Sequence, residues 1–76
     1  MNKKRKDDLS GVLSLLDSAI RIVRRVCDRE EDCVDNYPEN LQGTECYERM
    51  EDAVENLNEA LEKLNEAQEN IQAVLN

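Results

Sequence analysis

Apolar residues return along this chain at alternating steps of three and four, in two long runs separated by one break. In the second run Tyr47, Met50, Val54, Leu57, Leu61, Leu64, Gln68, Ile71 and Leu75 follow that rule, which places side chains on one face of an α-helix. Beside them runs a file of small residues at every seventh position: Cys46, Ala53, Ala60 and Ala67, closed by the larger Val74. Side chains this short let a neighbouring helix approach closely. The spacing predicts a helix from Glu45 to the C-terminal end.

The first run extends from Asp7 or Asp8 to about Asp35. Leu9, Leu16 and Val23 form one seven-residue series that Glu30 interrupts, and Val12, Ala19, Val26 and Cys33 form a second. Leu13, Ile20, Cys27 and Val34 widen the face that these two series share, while Leu15 and Ile22 add apolar area on its other flank. A face this broad exceeds a two-position coiled-coil seam and predicts a helix with more than one helical neighbour. Gly11 costs about 1 kcal/mol of helix preference, which its place near the helix end either tolerates or answers by moving the start toward Leu9 or Ser10. Asp7 and Asp8 suit a helix amino end, whereas Lys3, Lys4, Arg5 and Lys6 do not. Residues 1–6 are therefore expected to be a flexible basic tail.

Between the runs, Asn36-Tyr37-Pro38-Glu39-Asn40-Leu41-Gln42-Gly43-Thr44 carries the break. Pro38 has no amide donor and restricts Tyr37. Gly43 permits a turn conformation costly to other residues, and Thr44 is placed to cap the second helix. A short helical turn over Pro38 to Leu41, capped by Asn36, would make this an ordered corner with Leu41 closing the end of the core.

Residues 1–76 thus read as a single all-α domain, an antiparallel two-helix hairpin. Each helix of about thirty residues extends about 45 Å and has only one neighbour within the chain. Such a hairpin encloses little core of its own. The expected remedy is self-association into a homodimeric four-helix bundle, with a larger closed oligomer or a foreign helical partner as alternatives. The helix-helix interface should comprise Leu9, Leu13, Leu16, Ile20, Val23 and Cys27 on the first helix. On the second it should comprise Tyr47, Met50, Val54, Leu57, Leu61, Leu64, Ile71 and Leu75, with Ala53, Ala60 and Ala67 as close-packing positions.

Charge divides unevenly along the chain. Residues 1–27 carry +4, residues 28–39 carry -5 and residues 40–76 carry -7. Antiparallel packing is expected to bring Arg21, Arg24 and Arg25 near the acidic second helix. Those arginines and the Lys3-Lys4-Arg5-Lys6 cluster are also candidate phosphate contacts for a small regulatory nucleic-acid-binding protein. No aromatic residues interleave with them, and the acidic remainder opposes a broad DNA surface. The reverse reading is that Glu55, Glu59, Glu62 and Glu66 imitate nucleic acid and occupy a basic protein groove.

Motifs with chemistry are mostly missing. Without His the chain has no conventional zinc-protease motif, His-containing hydrolase triad or zinc-deaminase core. It has no phosphate-binding glycine loop and no calcium loop, so no cofactor and no enzymatic activity are expected. Cys27 and Cys33 stand about 9 Å apart along one helix, a poor chelating pair. Cys33 and Cys46 are the candidates for a disulfide across the hairpin. Glu30 reaches solvent or Arg49, and Gln68 reads as a hydrated or register-setting position. Asp28, Glu31, Asp32 and Asp35 read as a solvated acidic run. No continuous apolar stretch is long enough for a membrane span. An odd count of three cysteines fits a reducing cytoplasm.

The stretch Asp35-Asn36-Tyr37-Pro38-Glu39-Asn40-Leu41-Gln42-Gly43-Thr44-Glu45-Cys46-Tyr47-Glu48 resembles the centre of small uncharacterised helical-hairpin proteins of bacterial mobile elements and prophages. Asp35, Asn36, Pro38, Glu39, Leu41 and Gln42 match their Asp-Asn-x-Pro-Glu-x-Leu-Gln connector, and Glu45 follows at its usual position. The resemblance implies a Firmicute accessory protein of two helices, with no catalytic assignment and an unknown bacterial protein as one class of partner. The cysteines lie outside that pattern.

Overall fold

The computed structural model covers residues 1–76 and contains two long helices joined by a short corner. Helix α1 spans Lys3–Asp35, a 3₁₀ turn spans Glu39–Leu41, and helix α2 spans Glu45–Leu75. The helices lie against each other in an antiparallel hairpin of 59 × 15 × 14 Å. A globular domain of this length would have a radius of gyration of about 11 Å, and this one has 17.3 Å. The shape follows from giving each helix one neighbour instead of two or three.

Helix α1 starts four residues before the expected Asp7, and the basic segment expected to be a flexible tail is its first turn. The Asn2 side chain accepts a hydrogen bond from the Arg5 backbone N–H at 2.9 Å, satisfying one of the donors left open at a helix start. Lys4 also pairs with Asp8 at 3.7 Å, which offsets part of the mismatch between a cationic turn and the helix dipole.

Asn36 ends α1 instead of capping the next turn. Its backbone and side-chain N–H groups both donate to the Asp32 carbonyl, at 3.0 and 2.8 Å. Pro38 stands just ahead of the 3₁₀ turn, where its missing amide costs nothing. Gln42 donates to the Tyr37 carbonyl at 3.3 Å, and the Thr44 hydroxyl donates to the Leu41 carbonyl at 2.7 Å. The same hydroxyl oxygen accepts from the Tyr47 backbone N–H at 3.4 Å and so caps α2. Glu45 and Glu48 occupy the first turn of α2, the favourable end for negative charge.

Two expectations about the corner fail. Leu41, the last residue of the 3₁₀ turn and outside both helices, is 40% exposed and does not close the core. No residue, Gly43 included, has a positive φ, so the turn makes no demand that only glycine meets. The half-buried rings of Tyr37 and Tyr47 meet at this end instead, tilted at 57° with centroids 5.4 Å apart, within the range of favourable aromatic pairs.

Candidate functional site

Only Ile20 and Cys27 are buried. The other interface positions, from Leu9 and Leu13 on α1 to Ile71 and Leu75 on α2, are half-buried. A two-helix seam covers each of these side chains from one direction only. The hairpin exposes 5736 Å², whereas a compact monomer of its mass exposes about 4,800 Å². The difference, about 900 Å², is of the order that each partner buries in a stable dimer, about 800 Å².

The exposed apolar area is gathered on one side. Val12, Leu15, Ile22 and Val26 are 37%, 72%, 52% and 43% exposed. Together with Ala19 they step along α1 by three and four, the rule of a helix-packing seam. At 3.6 residues per turn this second seam lies about 100° around α1 from the one facing α2. Ala53, Ala60 and Ala67 lie about 80° around α2 from its own seam, in the same rotational sense. Because the helices run in opposite directions, equal senses bring both files to the same side of the hairpin. Val74, 50% exposed, extends the alanine file. Every exposed large apolar side chain inside the two helices therefore lies on this one side, and Leu15 and Ile22 flank Val12 and Val26, on the side of the face away from Leu13 and Ile20.

The two files keep register along their length. Val12, Ala19, Val26 and Cys33 climb α1 by sevens while Val74, Ala67, Ala60 and Ala53 descend α2 by sevens. The result is a ladder in which valine alternates with a smaller residue on α1 beside three alanines and Val74 on α2, and Leu15 and Ile22 add bulk to the α1 side.

The opposite side is polar, and it holds the side-chain tie between the helices. The buried Cys27 thiol points its single proton between Asn58 Oδ1 at 3.5 Å and Glu31 Oε1 at 3.7 Å. Asn58 Nδ2 donates to the same Glu31 oxygen at 3.2 Å, which joins the three into a closed set. Burial, followed by the charge of Glu31, raises the thiol's pKa above its ordinary 9.0. Deprotonating it would place an anion against a carboxylate in a site without a cation. The chemistry available to this group is therefore packing and register, with the sulfur held as a thiol.

The remaining candidates separate. All three cysteines are free, so the Cys33–Cys46 bridge is not formed. Cys33 is exposed on α1, while the Cys46 side chain lies by Tyr37 and raises that phenol's pKa above its ordinary 10.0, opposed in part by Thr44. Arg21 pairs with Asp17 at 3.2 Å, Lys63 with Glu59 at 3.0 Å, and Arg49 with Glu45. Like Lys4–Asp8, each joins residues four apart on one helix, so the ion pairs expected from Arg21, Arg24 or Arg25 to α2 are not made. At 100° per residue Arg21 and Arg25 lie well around the back of α1, and Arg21 reaches Asp17, one turn before it, without crossing the seam. Glu30 is half-buried and does not take Arg49. Gln68 is half-buried at the edge of an open hollow with Glu69, Gln72, Ala73 and Asn76 near the free end of α2.

Sequence reasoning missed Asn58, whose partners lie 27 and 31 residues away. No helix of the chain is long and apolar enough to cross a membrane. No protein-family model matches the chain, and no curated protein or solved structure matches it either.

Proposed function

We propose that this chain is a non-enzymatic self-association module whose working surface is the apolar side built by Val12, Leu15, Ala19, Ile22 and Val26 of α1 with Ala53, Ala60 and Ala67 of α2. The observation that carries this reading is the segregation of exposed side chains. A monomer that scattered the same residues around its surface would need no partner, whereas a continuous stripe at helix-packing spacing is what one helical pair offers another. The hairpin's surface in excess of a compact monomer, about 900 Å², is also of the order each partner buries in a dimer.

A second copy of the chain supplies the matching surface without further assumption, giving a four-helix bundle that is a homodimer. Pairing Lys4 with Asp8 and Arg21 with Asp17 reduces the cationic charge left for phosphate, and this weighs against a regulatory nucleic-acid reading. The connector's resemblance to small hairpins of bacterial mobile elements accords with an accessory protein that acts by assembly.

Sedimentation equilibrium tests the proposal. The wild-type chain should give twice its 8.8 kDa mass, and Ile22→Glu should return it to a helical monomer, since Ile22 faces away from α2. A wild-type chain that sediments at 8.8 kDa across the micromolar range would refute self-association.

A further inference from the structure

We infer that two copies join with their connectors at the same end of the bundle, each α1 lying over the α2 of its partner. This rests on the self-association reading and specifies how that surface is used. Two hairpins meeting by the same face about a two-fold axis have two arrangements open to them. With the axis along the hairpin, α1 covers the partner's α2, every adjacent pair of helices is antiparallel, and the connectors share an end. With the axis across it, α1 covers α1, α2 covers α2, and the connectors lie at opposite ends.

Two independent features select the first. The α1 file is mostly bulky, with Val12, Leu15, Ile22 and Val26 around a single Ala19, and the α2 file is mostly small, with Ala53, Ala60 and Ala67 ahead of Val74. Placing bulky on small gives both contacts the same spacing and lets the layers interdigitate. Bulky on bulky beside small on small would hold one pair of helices apart and leave the other pair separated by a gap. Cores lose stability to both faults.

Charge makes the same selection. Across Lys3–Asp35, acidic and basic side chains balance at eight each, whereas Glu45–Leu75 holds nine acidic and two basic residues, a net charge of -7. The crossed arrangement sets two such helices side by side, at the 8 to 10 Å of packed helices. The same-end arrangement puts each beside two neutral helices and leaves the like-charged pair on the diagonal. Since every ion pair of the hairpin stays within one helix, no local pairing already spends this difference.

A distance between connectors decides it. Asn40 is exposed in the 3₁₀ turn, and Asn40→Cys with Cys33→Ser and Cys46→Ser gives one accessible thiol per chain, Cys27 being 1% exposed. The variant is spin-labelled, its helicity is compared with wild type by circular dichroism, and its mass is taken by sedimentation before dipolar spectroscopy. A dimer with a label separation below about 30 Å is the expected result, because paired helices stand 8 to 10 Å apart. A dimer with a separation near or above 45 Å, about the length of a 31-residue helix, overturns the arrangement and leaves self-association standing. A helical monomer at 8.8 kDa overturns both.

Discussion

Cys27 and Asn58 meet across the hairpin, with the buried thiol 3.5 Å from the amide oxygen. The contact fixes which turn of α1 faces which turn of α2, because a slip of one turn would leave the thiol proton and Glu31 without Asn58. Apolar stripes alone are indifferent to such slips, since each offers a similar residue every three or four positions.

Replacing Asn58 by Ala should therefore cost about 1 kcal/mol, the usual net worth of a hydrogen-bonded polar pair. Cys27→Ala removes the sulfur from the best-packed position in the chain, and a cost of about 1 to 2 kcal/mol is expected. Urea melts at one fixed protein concentration measure both, a condition that any self-association imposes. A double variant less destabilised than the sum of the singles would show the two residues acting as a pair. Full additivity would mean the contact carries no coupling.

The same thiol makes stability depend on pH in the alkaline range. Its pKa is raised in the folded chain above the ordinary 9.0, so folded protein retains a proton that unfolded protein releases. The contribution is whole below about pH 9 and is lost as pH rises toward the folded value, because unfolding then releases a proton. Thermal melts between pH 7 and 10.5 should show a decline for wild type that Cys27→Ala lessens. Parallel curves for the two proteins would exclude the thiol as the source.

Much of this fold could be read from spacing, because an inward stripe at three and four steps is a local property of the chain. Leu16, Ile20, Val23, Leu57, Leu61 and Leu64 needed only that periodicity to be placed on facing seams. Leu15 and Ile22 were legible as apolar area on the flank away from Leu13 and Ile20, which is where the structure exposes them beside Val12 and Val26. Helical geometry at about 100° per residue contained that information. Asn58 reads as part of an Asn-Glu-Ala echo at heptad spacing, and its role depends on a register between helices that neither helix encodes alone. Asn2, which caps α1, is passed over in a sequence reading because the four cationic residues after it oppose a helix start.

Gly11 offers a gain. It lies inside α1, and a Cβ added there would meet no atom within 4 Å. Gly11→Ala should stabilise the protein by roughly 0.5 to 1 kcal/mol through helix preference alone. For a chain this small that corresponds to about 4 to 8 °C in Tm per kcal/mol. Gly43→Ala meets equally open space without positive φ and should leave Tm nearly unchanged. A large loss at Gly43 would show that the corner needs glycine after all.

The two apolar faces should respond differently to the same insult. Leu61 belongs to the α2 seam against α1 and is half-buried even in the lone hairpin. Leu61→Asp puts a carboxylate into that seam, and a loss above about 3 kcal/mol is expected, enough to abolish much of the helical signal. Ile22, 52% exposed, contributes nothing comparable to the hairpin itself, so Ile22→Glu should retain a helical fold while losing assembly and the stability that assembly confers. Circular dichroism and sedimentation on both variants separate the roles. Equal loss of helicity in the two would mean that the hairpin exists only within the oligomer, with the folding of one chain inseparable from the docking of the second. A helical Leu61→Asp protein would instead contradict the inner seam, since a carboxylate placed there gives up the apolar contact that joins the helices.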